Sequence, residues 1–146
     1  MKALIQRVKN ASVEVKGSVI GRINKGIVVF LGIKKGDTIK DIDYLVNKIV
    51  NLRIFEGKDE KLDLSLEDIK GEMLIISQFT LYGSCKKGRR PDFTESEDAE
   101  KAKEIYRIAI DSFKKTGLKV EEGEFQAMMD VKLINDGPFT LILEGK

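Results

Sequence analysis

Histidine and tryptophan are absent from this chain of 146 residues, cysteine occurs once and proline twice. Without histidine, no Ser-His-Asp or Cys-His nucleophile system can be assembled. Histidine-ligated zinc is excluded as well, and the lone Cys85 rules out multi-cysteine metal sites and any intrachain disulfide. No metal and no cofactor are therefore expected. An enzyme built from this chain would work with hydroxyls, carboxylates, lysines, backbone dipoles or groups on its own substrate. Long apolar runs are also missing. Residues 27–32 form one of the longest, far too short to span a bilayer, so no membrane association is expected. The first residues alternate like a strand and lack a signal-peptide core, which with the single cysteine leads us to expect a cytoplasmic protein. Net charge is only +2, so no global basic field is available to hold nucleic acid, and any such binding must come from a local cluster.

The length suits one domain, residues 1–146, with a sizeable core. Residues 2–8 and 11–15 alternate as strands, with Lys9-Asn10 as the turn between them, and Lys16-Gly17 permits a tight return into a strand over 18–23. Residues 26–33 read as a buried strand. Asp37 or Thr38 can cap a helix running to about Leu52, with Ile42, Leu45, Val46 and Ile49 on one face. A short strand near 53–56, a charged loop over 57–63 and a buried strand over 73–78 follow. Residues 81–97 read as an ordered loop. A second helix covers about 99–116, ended by Gly117. Strands over 120–125, 128–134 and 139–144 complete a mixed α/β pattern: a β-rich, barrel-like core with two main helices in one domain.

Three segments can carry chemistry. Asn135-Asp136-Gly137-Pro138 lies between two apolar runs. Asp-Gly is a turn signal, but proline cannot donate to a sheet ladder. The segment by itself favours a plain hairpin whose proline opens an edge strand. The alternative is a fixed backbone corner, poor in side chains, fit to judge the shape of a small group. The strand end Ser77-Gln78-Phe79-Thr80 offers free amides, hydroxyls and a carboxamide that can bind a carbonyl or stabilise an oxyanion, or merely bond neighbouring backbone. A nucleophilic Thr80 would need a base that the sequence does not place beside it, so a positional role is favoured. Lys86, Lys87, Arg89 and Arg90 surround Gly88 as a phosphate clamp or a solvated loop, with Phe79, Tyr82 and Phe93 near enough to stack on a base. Glu95, Glu97, Asp98 and Glu100 read as capping and solvation ahead of the second helix. Met128 and Met129 read as core or pocket lining.

Taken together, these segments resemble the D-aminoacyl-tRNA deacylase family, of the D-tyrosyl-tRNA deacylase type. The likeness runs through Gln6-Arg7-Val8, Ala11-Ser12-Val13, Leu52-Arg53-Ile54-Phe55, Ser77-Gln78-Phe79-Thr80-Leu81, Lys87-Gly88-Arg89-Arg90-Pro91-Asp92-Phe93 and Asn135-Asp136-Gly137-Pro138-Phe139-Thr140. It implies a homodimeric hydrolase that cleaves the ester between a D-amino acid and the 3′-terminal adenosine of tRNA. By that resemblance, a cis Gly137-Pro138 corner enters the partner's site and excludes L-side chains. Glycyl-tRNA, including glycine mischarged on tRNA for alanine, would be accepted. Residues 77–80 would line the opposite wall mainly with backbone, Met129 would sit in the pocket, Arg7 would hold the corner, and the 2′-hydroxyl of the RNA would assist. Two departures stand out: Gln126 occupies a position where the family usually has glycine, and Lys61-Leu62-Asp63 replaces Lys-Met-Asn. The rivals are a non-catalytic RNA-binding module and a threonine hydrolase of small esters.

Overall fold

A slip in apolar phase near the start of the chain sets the architecture. Ala3 and Ile5 are buried on one face of the first strand, while Ala11 and Val13 are buried on the opposite face beside Val8. A strand alternates faces with period two, so this change of parity needs one extra residue. The computed structural model, which describes residues 1–146, shows how the chain absorbs it. Strand β1 runs unbroken over Lys2–Val15, and the pairing irregularity between Val8 and Asn10 inserts the extra residue as a bulge. The expected turn at Lys9-Asn10 is therefore a bulge inside one long strand.

Around β1 the sheet is six-stranded. Strand β2 (Ser18–Ile23) pairs with the second half of β1, and β3 (Gly26–Gly32) pairs with the first half on the same edge. Helix α1 (Ile39–Asn51) follows, then the two-stranded ribbon of β4 (Phe55–Glu56) and β5 (Leu62–Leu64). Part of the expected charged loop is thus strand. Strand β6 (Glu72–Ser77) runs parallel to β3, a 3-10 turn covers Phe79–Tyr82, and helix α2 spans Ala99–Lys114. Strand β7 (Lys119–Glu122) is parallel to β6, and β8 (Asp130–Glu144) lies antiparallel along the other edge of β1. The sheet curls until β2 meets β6 and β7. Gly21 makes that approach possible, because a Cβ there would lie 3.1 Å from the Glu122 carbonyl oxygen.

The nearly closed sheet has two cores. Val8, Val13, Ile23, Val28, Leu74 and Ile76 fill the barrel interior. On the outer face, Ile27, Val29, Met73 and Ile75 pack under Ile42, Leu45 and Ile49 of α1 and Tyr106, Ala109 and Phe113 of α2. Alternate residues of β3 and β6 thus feed opposite cores, which is why both strands read as continuous apolar runs. Thr38 takes the N-cap of α1, and Asp41 accepts hydrogen bonds from its N–H (2.8 Å) and its hydroxyl (2.9 Å). No helix is long and apolar enough to cross a membrane.

The C-terminal third differs from expectation. The strands expected over 128–134 and 139–144 are one strand, β8, which begins only at Asp130, and Asp136-Gly137 turns no hairpin. Gln6 pairs with Thr140 and Val8 with Asn135, so Arg7 alone faces residues 136–139. The chain bulges outward between two stretches of the same ladder, and the proline sits where no ladder bond is required of it.

Candidate functional site

Arg7 is the root of the bulge. Its side chain is 8% exposed, its Nη1 donates to the Ile54 carbonyl at 2.6 Å, and its Nε donates to the Asp136 carbonyl at 3.0 Å. The Asp136 carboxylate lies 3.5 Å from the same Nε, and the guanidinium stands 5.1 Å from the centre of the Phe139 ring. One buried cation therefore grips both ends of the bulge and ties it to the chain leaving α1. Gly137 and Pro138 project from that grip, both exposed, joined by a cis bond. Gly137 has φ +126, a region closed to L-residues, and a Cβ there would meet Arg7 Nη2 at 3.1 Å. The result is a corner of bare backbone with little side chain of its own.

The second group of residues lies at the C-terminal end of β6. Ser77 is paired against Leu31, and the Gln78 N–H continues the ladder with a 2.8 Å bond to the Leu31 carbonyl. Phe79 and Thr80 open the 3-10 turn, so their N–H groups have no acceptor within it. Two successive amides at the end of a buried strand are suited to a carbonyl oxygen that gains negative charge. The Gln78 carboxamide donates to the Thr80 hydroxyl, the Ser96 hydroxyl donates to the Phe79 carbonyl at 3.0 Å, and Lys2 Nζ donates to the Leu81 carbonyl at 3.5 Å. These bonds hold the turn rigid and give Thr80 a carboxamide rather than a base as neighbour.

The basic run is fastened to this strand end. Ser84 and Asp92 exchange backbone hydrogen bonds of 2.8 and 2.9 Å, closing residues 85–91 into a loop in which Lys86, Lys87, Arg89 and Arg90 are all exposed. Phe93 leaves the loop and packs edge-on against Phe79, with centroids 5.1 Å apart. Phe79 is 59% exposed and free to stack on a base, whereas Tyr82, expected beside it, is buried beneath Lys2, and burial pushes its phenol above the ordinary range.

Met129 lies over Gly123 beside Ile76, one residue before Ser77. Met128, read above as core or lining, is 93% exposed. Tyr106 reaches across from α2 to donate to the Ile75 carbonyl at 2.9 Å, and the Gly123 N–H donates to the same oxygen at 2.9 Å. Its ring packs against Phe125 at 5.6 Å.

The structure thus gathers the strand end, the basic loop and Met129 on one side, and Arg7 with the Gly137-Pro138 corner on another. Strand order β8-β1-β3-β6 and the pairings Arg7–Ile27 and Leu31–Ser77 separate them. Three strand spacings of about 4.8 Å and four residues of about 3.3 Å put them about 20 Å apart along the sheet. Nothing in the sequence assigned Ser96 or Ile54 a role of its own. Ser96 stands in an acidic run that reads as helix capping, and Ile54 acts through its carbonyl, which no side-chain pattern reveals.

Comparison with known proteins places this geometry. The family profile of D-Tyr-tRNA(Tyr) deacylases matches residues 4–144. A D-aminoacyl-tRNA deacylase of Aquifex aeolicus is 57% identical over 146 residues, covering 100% of this chain and 99% of its relative. One of Thermosipho africanus is 55% identical, covering 100% and 98%. A solved structure described as a c-Myc DNA unwinding element binding protein superposes with a TM-score of 0.94 at 42% identity, over 100% of this chain and 99% of that one. A second, described as a probable eukaryotic D-amino acid tRNA deacylase, gives 0.83 at 17% identity over 98% of each chain, a likeness of fold.

Proposed function

Because the chain belongs to the D-Tyr-tRNA(Tyr) deacylase family, we propose that it hydrolyses the ester of D-aminoacyl-tRNA in a site completed by a second copy of itself. The observation that carries the reading is the placement of the corner on β8 and of the strand end on β6, with β1 and β3 between them in the sheet. A single aminoacyl group cannot touch both within one chain. A two-fold dimer brings the corner of one protomer to the strand end of its partner, twice over. The same symmetry gives the long free edge of β8 a use.

In this arrangement water attacks the ester carbonyl. The N–H groups of Phe79 and Thr80 stabilise the oxyanion, and the leaving 3′-oxygen takes a proton as the free D-amino acid departs. The chain places no histidine and no paired carboxylate at this strand end. The neighbouring 2′-hydroxyl of the terminal ribose supplies the missing assistance, and Thr80 acts by position. Selectivity comes from a clash: an L-side chain meets the rigid backbone of Gly137-Pro138, while a D-side chain points away. Glycine has nothing to clash, so glycyl-tRNA, including glycine mischarged on tRNA for alanine, is a second substrate. Lys86, Lys87, Arg89 and Arg90 hold tRNA phosphates, and the compartment is the cytoplasm.

The test is side-by-side hydrolysis of D-tyrosyl-, glycyl- and L-tyrosyl-tRNA, with a 2′-deoxyadenosine-ended D-tyrosyl-tRNA as a fourth substrate. The first two should turn over repeatedly, the third should survive, and the fourth should react slowly. Rapid cleavage of the L-ester contradicts the clash. Tight, salt-sensitive binding without cleavage of any ester would return the chain to a nucleic-acid-binding module.

A further inference from the structure

One residue in the segment after β7 breaks a backbone rule. Gln126 has φ +64, the left-handed region that favours glycine, and glutamine has no special tolerance for it. The segment is fixed on both sides: Ala127 N–H bonds the Glu124 carbonyl at 3.2 Å, Phe125 packs on Tyr106, and Met129 lies on Gly123. Glycine would serve this turn with less strain, so the glutamine side chain needs a reason to be there. It lines a groove of about 370 Å³ with Val15, Lys16, Glu124, Phe125 and Met128. Gly123 and Met129, which flank this segment in the chain, border Ile75 and Ile76, the two residues before Ser77.

The lining is particular. Met128 and Phe125 offer a polarizable, apolar wall, and Lys16 forms no ion pair. Glu124 is a pure acceptor, while Gln126 both accepts and donates. An acceptor beside an amide, next to a flat apolar wall and a free cation, suits a nucleobase bearing an exocyclic amino group, with its phosphate toward the lysine. We propose that Gln126 is a substrate-binding residue that hydrogen-bonds an amino-bearing base in the unpaired 3′ end of the tRNA. This rests on the deacylase reading. Two kinds of base in that end carry the chemistry, the terminal adenosine and the cytidines before it.

The experiment compares wild type with Gln126→Gly, Gln126→Ala and Gln126→Asn on two substrates, D-tyrosyl-tRNA and the 3′-D-tyrosyl ester of adenosine alone. Glycine relieves the strained turn, so that variant folds with an unchanged or higher Tm. KM for D-tyrosyl-tRNA should rise about three- to tenfold in the glycine and alanine variants, the size of one neutral hydrogen bond, with kcat retained. Asparagine, which tolerates the left-handed backbone and keeps a carboxamide, should recover part of the loss. A rise on both substrates assigns the contact to the terminal adenosine, and a rise on the tRNA alone assigns it to a cytidine before it. Wild-type KM on both substrates in the glycine and alanine variants would overturn the proposal. A wild-type protein that cleaves neither ester would instead contradict the deacylase reading.

Discussion

The two regions assigned to the site are both made of backbone, yet the fold holds them by opposite means. The strand end at Ser77–Thr80 emerges from β6, buried between β3 and β7 with its side chains in two cores. Its amides are fixed because the whole sheet is fixed. The Gly137-Pro138 corner is an outward bulge of β8, which is paired with β1 alone, and one arginine grips it from beneath. Core packing positions the first region, and a single charged side chain positions the second. The first should therefore tolerate loss of any one side chain and fail on loss of an N–H. The second should fail on loss of one side chain.

The largest effect expected is at the strand end. Phe79→Pro removes one of the two free amides at a position where a turn accepts proline, and kcat should fall about 10²- to 10³-fold. Phe79→Ala, which keeps the N–H, should lose far less. Equal losses would mean that the ring matters and the amide does not.

At the corner, Arg7→Ala leaves the carbonyls of Ile54 and Asp136 without their donor. Denaturant unfolding should show a loss of about 2–4 kcal/mol. Cleavage of L-tyrosyl-tRNA should rise relative to the D-ester as the corner loosens. An intact preference in this variant would show that the bulge holds its own shape.

Outside both regions, replacing Arg89 and Arg90 with alanine should reduce the salt slope of tRNA binding by about 1.5 and leave the D/L preference unchanged. An unaltered slope would make residues 85–91 a solvated loop. The smallest effect is expected from Thr80→Ala: less than about threefold in kcat, because the amides remain. Complete loss of turnover, with an acyl-threonine trapped in wild type, would restore the nucleophile.

These outcomes bear on how much of the molecule can be read from its sequence. Elements whose own residues carry the signal were legible. The 3.6-residue spacing of Ile42, Leu45 and Ile49 and the cap at Thr38 located α1, and the apolar run at 26–33 located β3. Where partner strands decide the conformation, local patterns misled. Lys9-Asn10 looks like a turn because the apolar phase slips there, and only pairing with β8 shows the slip to be a bulge. Asn-Asp-Gly-Pro has hairpin chemistry, yet β1 continues past it and holds both flanks in one ladder. The strand end drew notice because a buried strand closes in Ser-Gln-Phe-Thr, whereas its support from Ser96, like the tie of Arg7 to Ile54 beneath the corner, depends on folding alone. Tyr82 shows the converse: proximity in sequence to the basic run does not bring it to the surface.

The central claim is that each site takes its strand end from one protomer and its corner from the partner. Mixing tests it directly. Phe79→Pro and Gly137→Val each damage one half, and wild-type selectivity should be missing from both alone. Unfolded and refolded together in equal amounts, they form mixed dimers that hold one site with both halves intact. Such sites should make up about a quarter of the total, so cleavage of L-tyrosyl-tRNA should fall to about half that of the two variants refolded apart while D-tyrosyl-tRNA is still cleaved. If the mixture is no more active and no more selective than the sum of its parts, each site lies within one chain and the account is wrong.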